Sequence, residues 1–395
     1  MADDPSTPDD SLERLLLDKD LLVSVGPGGV GKTTISAAMA LQSARMGRNT
    51  LVLTIDPARR LAQALGLDGL DDAVQEVSIE ELRATGMEVK GKLYAAMLDT
   101  GASFDTLMSR IAPNPQVEQR ILNNRVYRAM AGTLARSHAY VAMERLYEVM
   151  EDERFDLVIL DTPPTRNALD ILDAPGALMA FLEENVVKWF VRKPAKGLRG
   201  RLWNTGSVAT TRLLGMLAGQ DFLEEVISFF ESFYELREGF SERADRARAY
   251  LRHPRSAFVI VTSADPANLE DAKNLAEGVR SRGVRIAAAV FNRCYEPIGE
   301  DRLEVITKVD PRPPEQALDT LWPNAPARGR VKALLEGLGE VEARAAASNA
   351  RSERTIAAFQ IPGRSARVMV ARLDNDIRDL VGLAELSPWL CPDWE

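Results

Sequence analysis

Three short stretches of this chain carry side chains at spacings that suit phosphate chemistry. The first is Gly26-Pro27-Gly28-Gly29-Val30-Gly31-Lys32-Thr33-Thr34. It follows the apolar run Leu21–Val25 and passes at once into a helical pattern that begins Ile35-Ser36-Ala37-Ala38. This fits GxxxxGK[ST] in the strand–loop–helix setting that the pattern requires. Glycines without side chains let successive backbone N–H groups converge on phosphate oxygens, and the N-terminus of the next helix adds its positive end. Gly26, Gly28, Gly29, Val30 and Gly31 are therefore the expected cradle. Lys32 is expected to hold the β- and γ-phosphates, the Thr33 hydroxyl to ligate Mg²⁺, and Thr34 to reach the α-phosphate.

The second stretch is Thr54-Ile55-Asp56-Pro57-Ala58-Arg59-Arg60. An acid at the carboxyl end of a neighbouring strand faces the phosphate crevice, where Asp56 can orient or deprotonate an attacking water. Asp-Pro is equally a helix-start signal, and the residues alone leave the two roles evenly matched. The third is Phe155-Asp156-Leu157-Val158-Ile159-Leu160-Asp161-Thr162-Pro163-Pro164-Thr165. A buried strand delivering Asp161 at its end is the arrangement that fixes Mg²⁺, directly or through water, with helix capping as the other reading. Gly26, Gly28 and Gly31 also spell GxGxxG with Asp56 downstream, as in dinucleotide folds. That reading leaves Lys32-Thr33-Thr34 without a purpose, so the phosphate loop is preferred.

The elements that must position these residues read as an open α/β sheet. Expected strands are Leu21–Val25, Thr50–Ile55, Leu93–Leu98, Leu157–Leu160, Phe258–Thr262, Ile286–Phe291 and Val368–Ala371. Several are continuous apolar runs, as expected where helices cover both faces of a mainly parallel sheet. Two gaps are too long for one crossover helix, about 100–154 and about 167–255. In the first, Met143, Leu146, Tyr147 and Met150 share a helical face. In the second, Leu223, Val226, Ile227, Phe230, Phe233 and Tyr234 follow helical spacing, with Phe222, Phe229 and Leu236 on the adjoining stripe. That helix is apolar over much of its circumference. The basic segment Arg192–Arg201 reads as a solvated linker, with acidic headgroups as its alternative contact.

Composition narrows the function further. Of 395 residues, 46% are apolar and 27% charged, which suits a globular chain. Lys and Arg number 49 against 58 Asp and Glu, a net charge of −9 that argues against nucleic acid as a partner. Two distant cysteines, Cys294 and Cys391, exclude a disulfide scaffold and a four-Cys zinc site, and two histidines, His138 and His253, exclude an HExxH centre. The acidic start lacks the apolar core of a signal peptide and no window reaches the length of a membrane span. The expected location is cytoplasmic, with peripheral attachment at a membrane as a variant.

Taken together, GPGGVGKTT, TIDPARRLAQALG, FDLVILDTPPTRNALDIL and AAAVFNR resemble the anion-transporting ATPase family. That family includes the arsenite-pump ATPases and those that target tail-anchored proteins to membranes. The resemblance implies a P-loop NTPase fold: an acidic tail over 1–19, then a single ATPase domain over 20–395 with the two helical insertions. It also implies Mg²⁺ as cofactor and ATP as substrate, Asp56 as the water-orienting acid, Asp161 in the second switch, and Asn292 at the adenine. The loop Arg372-Leu373-Asp374 would cover the base. Thr307-Lys308-Val309-Asp310 matches a guanine-recognition motif but follows a run that fits a helix better, so ATP is preferred.

Three departures from the family stand out. Its signature lysine, which crosses a dimer to the partner's nucleotide, is Pro27 here. A zinc-binding CxxC is missing, so no zinc is expected. Two isolated cysteines cannot reproduce the cluster behind arsenite activation. The resemblance still implies a nucleotide-driven dimer, either a homodimer bridged by Arg59, Arg60 or Arg166 or a heterodimer with a lysine-bearing paralogue. In the second case this chain would be mainly a structural ATP-binding subunit. Met216–Phe240 and Val186–Val191 are material either for a buried subdomain or for a groove that takes an apolar client helix or membrane protein.

Overall fold

The computed structural model describes residues 11–55, 60–71, 73–98, 100–134, 138–163, 169, 172–173, 220–294, 344, 347–359, 365–373 and 375–392. Its strands are β1 (Leu21–Val25), β2 (Thr50–Thr54), β3 (Gln75–Glu76), β4 (Leu93–Met97), β5 (Leu157–Asp161), β6 (Ser256–Ser263), β7 (Ile286–Cys294) and β8 (Ala366–Ala371). They form one sheet in the order β3-β4-β2-β5-β1-β6-β7-β8. Every pairing is parallel except the two-residue contact of β3 with β4. This is the mainly parallel, helix-flanked sheet of an α/β P-loop NTPase.

Strand residues alternate between two cores. Leu21, Val23 and Val25 of β1 face one, with Leu51, Leu53, Val158, Leu160, Phe258 and Ile260 from its neighbours. Leu22, Val52, Leu157, Ile159, Val259 and Val261 face the other. Both faces being covered accounts for the unbroken apolar runs.

On the second face lies α2 (Lys32–Arg45), whose small residues Ala37, Ala38, Ala40 and Ala44 let it sit close to the sheet. Over it pack α1 (Leu12–Asp18), α3 (Arg60–Ala64), and two short C-terminal helices, Leu380–Ala384 and Ser387–Leu390. Within the stretch read as an acidic tail, Leu12, Leu15 and Leu16 are buried in this core, and Arg48 donates to the carbonyls of Leu16 and Lys19.

The first face carries the helical insertions. Before β4, α4 (Ile79–Ala84) packs on the second face through Leu82, against the helix Leu380–Ala384; on the first face, α5 (Thr100–Ile111), α6 (Pro115–Asn123), α7 (Arg125–Leu134) and α8 (His138–Met150) follow β4. The second insertion contributes α9 (Gln220–Glu235) and α10 (Arg237–Arg252). The two insertions pack on each other, α9 on α6 and α7, and α10 on α8. Phe229, Phe233, Leu236 and Phe240 are buried in the joint core, and Phe222 is exposed. The buried stripe thus combines positions from both stripes of the sequence pattern, because neighbours above and beside α9 select the face. Val186–Val191, Arg192–Arg201 and Thr307–Asp310 lie outside the described residues. Among the described residues no helix is long and apolar enough to cross a membrane.

Candidate functional site

The phosphate loop leaves β1, which is flanked by β5 and β6. Gly26 lies against β6 so closely that a Cβ would fall 1.9 Å from the Val261 carbonyl oxygen. No other residue fits there. Gly31, the N-cap of α2, has φ 94°, and a Cβ on it would meet Asn292 Nδ2 at 2.4 Å. Both conformation and space demand glycine at that position.

Lys32 is buried, and its Nζ donates to the carbonyls of Gly26 at 3.0 Å and Pro27 at 2.9 Å. The ammonium is thereby folded over the loop that precedes it. One helical step on, Thr33 Oγ1 donates to Asp161 Oδ2 at 2.7 Å. Thr54 Oγ1 donates to the same oxygen at 2.9 Å. Strand register makes this possible, since Asp161 stands opposite Ser24 on β1 and Thr54 on β2. Thr162 adds a tie, its Oγ1 and N–H both donating to the Ser24 carbonyl at 2.7 and 3.3 Å. The carboxyl ends of β1, β2 and β5 are thus joined through side chains that are fully buried.

Above this floor opens a cavity of about 1190 Å³, ample for a nucleoside triphosphate. Gly29, Gly31, Lys32, Thr33 and Thr34 line one side. Asn292, Arg372 and Leu373, expected at the base, line the same cavity. Gly26 and Val30 are buried beneath, and Gly28 is exposed at the loop tip. Asp56, Asp374, Arg59 and Arg166 lie outside the described residues. Three contributors went unseen in the sequence: Thr54, Thr162 and Arg293. Thr54 stands two residues before Asp56 in the sequence, which is a usable signal. Nothing local marks Arg293.

The oxygen donors suit a hard cation such as Mg²⁺, which takes few protein ligands and completes its shell with water and phosphate. Thr33 gives its proton to Asp161, which leaves its oxygen lone pairs available for a metal. Among the described residues no group of three or more His, Cys, Asp or Glu gathers into an all-protein metal cage.

A profile of the anion-transporting ATPase family matches residues 19–308. The chain belongs to that family. A relative from Streptomyces coelicolor, itself uncharacterized, is 26% identical over 346 residues, 87% of this chain and 76% of its own length. "Putative arsenical pump-driving ATPase 2" of Aquifex aeolicus is 24% identical over 278 residues, 68% of this chain and 78% of that one. A "Putative arsenical pump-driving ATPase" of Chlorobaculum tepidum is 27% identical over 236 residues, 55% of this chain and 49% of that one. The profile begins directly after α1, so in this anion-transporting ATPase family member α1 lies wholly ahead of the matched segment.

Proposed function

We propose that this family member binds ATP with Mg²⁺ at the loop Gly26–Thr34 and hydrolyses it. The observation that carries the reading is the Thr33–Asp161–Thr54 contact beneath a loop that only glycine can form at Gly26 and Gly31. Lys32 would exchange the carbonyls of Gly26 and Pro27 for the β- and γ-phosphates. Thr33 would hold Mg²⁺, and Asp161 would act through Thr33 or a water. The metal, when bound, supplies neutralisation of the phosphate charge. Asp56 would position and deprotonate the attacking water. Asn292 and the loop Arg372-Leu373-Asp374 are the residues offered for the base.

The assembly offered with this reading is a nucleotide-driven dimer that couples hydrolysis to a client protein, a membrane partner or an anion. Pro27 favours a second reading. It supplies no cation for a facing nucleotide. A paralogue with a lysine at that position would then carry turnover, and this chain would bind ATP within a heterodimer. Arg60, which lines the cavity, is the described candidate for bridging a homodimer.

Calorimetry and steady-state hydrolysis on the purified chain test these statements. Lys32→Ala should lower ATP affinity or turnover by about 10²-fold or more. Asp56→Asn should lower turnover by a similar factor with affinity nearly unchanged. Equal ATP binding by wild type and Lys32→Ala would sink the site. ATP binding without turnover, restored by a lysine-bearing paralogue, would decide for the second reading.

A further inference from the structure

The carbonyls of the phosphate loop are all but fully taken up by side chains. Lys32 Nζ serves Gly26 and Pro27. The next two bonded carbonyls are held from β7: Arg293 Nη1 donates to Gly29 O at 3.1 Å, and Asn292 Nδ2 donates to Val30 O at 2.8 Å. The Asn292 amide is fixed at both ends, because its Oδ1 accepts the Arg293 N–H at 2.9 Å. A carbonyl only accepts and a backbone N–H only donates, so the orientation of the amide is determined. Arg293 has φ 58°, the one non-glycine residue with positive φ among the described residues. It sits where the β7–β8 register shifts between Phe291 and Cys294. An L-residue in that conformation carries strain, and such strain collects where a side chain must be aimed.

From this geometry we infer that Asn292 and Arg293 are positioning residues that brace the phosphate loop, a role in addition to the base contact offered for Asn292. In a trans peptide the C=O and N–H point in opposite directions. Anchoring the Gly29 and Val30 carbonyls to β7 turns the N–H groups of Val30 and Gly31 the other way, available to phosphate. The brace is built before any ligand arrives, so it acts on the phosphate end of every ligand equally. The inference rests on the loop taking a nucleotide triphosphate.

The test compares Mg-ATP, Mg-GTP and base-free inorganic triphosphate by calorimetry on wild type, Asn292→Ala, Arg293→Gly and Arg293→Lys, with melting temperatures alongside. Asn292→Ala should weaken all three ligands, base-free triphosphate included, by on the order of tenfold or more, as for one lost hydrogen bond. Arg293→Gly relieves the positive φ, so it should melt no lower than wild type and still bind all three ligands several-fold more weakly. Arg293→Lys, which keeps a donor, should recover most of that loss. If Asn292→Ala weakens ATP and spares triphosphate, Asn292 reads the base and the brace fails. Unchanged binding in Arg293→Gly also overturns it, as does a wild type that binds ATP without measurable triphosphate. A wild type that binds none of the three overturns the nucleotide reading itself, and the brace with it.

Discussion

Thr33 Oγ1 lies 2.7 Å from Asp161 Oδ2, which ties the first turn of α2 to the end of β5 across 128 residues of chain. The hydroxyl proton is committed to the carboxylate, so the Thr33 oxygen is oriented before a cation is present. Thr54 holds the same carboxylate oxygen from β2.

Asp161→Asn is therefore expected to affect metal-dependent binding selectively. The neutral amide accepts more weakly than a carboxylate, since charge-assisted hydrogen bonds are roughly twice as strong. ATP affinity should fall by about 10- to 100-fold with Mg²⁺ present and change little in EDTA. Paired titrations in the two buffers check this. Equal losses in both would mean that Asp161 shapes the fold and not the cation site.

Gly26→Ala should damage the fold itself. Its Cβ would sit 1.9 Å from the carbonyl oxygen of Val261, a backbone atom of the central strand β6 that no rotamer change can move aside. Overpacking costs about 1–3 kcal/mol, and more where, as here, the clash is with backbone that cannot move. A thermal melt within a degree of wild type would contradict the close approach of β1 and β6 at this point.

A charged cluster between α5, α8 and α10 makes a pH prediction. Burial alone would raise the Glu148 carboxyl, but hydrogen bonds and charge from Arg110 and Arg145 bring it below its ordinary value of 4.5. A depressed carboxylate pKa adds stability that is present above the unfolded value and is lost as pH falls through the folded one. Glu144 behaves oppositely, because burial outweighs its pairing with Arg243 and raises its pKa. Glu148→Gln should thus lower stability at pH 7 by on the order of 1 kcal/mol, a figure discounted for the side chain's partial exposure. The gap to wild type should close below about pH 4.5. Melting curves from pH 7 to pH 3 check it, and a gap that widens on acidification would contradict it.

Arsenite or antimonite should leave turnover unchanged. Cys294 belongs to the core on one face of the sheet and Cys391 to the core on the other. Burial pushes the two thiols up to about 11 and about 12, so neither offers a thiolate near neutral pH. Soft-ligand capture of a metalloid needs thiolates side by side. ATPase assays over a metalloid titration check this, and stimulation that vanishes in Cys294→Ser would refute it.

Much of the sheet was legible because a strand covered on both faces is an apolar run; six expected runs became β1, β2, β4, β5, β6 and β7, and the run at Val368–Ala371 became the edge strand β8, where Met369 is exposed. The ends were less so. Asp161 belongs to β5 because it pairs with Ser24 and Thr54, which no local pattern shows. The two residues Gln75 and Glu76 carry no periodicity and are a strand only because Tyr94 and Ala95 lie beside them. In α9 two adjoining stripes are apolar, so which of their positions are buried was chosen by α6, α7 and α10.

By itself the sequence determined the phosphate loop and its family, because GPGGVGKTT brings its glycines, lysine and threonines together within one turn of chain. Local geometry suffices when all the atoms concerned are covalent neighbours. Only the tertiary structure decided what that loop rests on. The partners Thr54 and Asp161 are 107 residues apart, and Asn292 reaches Val30 across 262. Such contacts depend on strand order and register, which place β5 and β6 on either side of β1 and β7 beyond β6. A side-chain hydrogen bond closes only over about 3 Å, and no spacing along the chain encodes a distance that the packing of a whole sheet must supply.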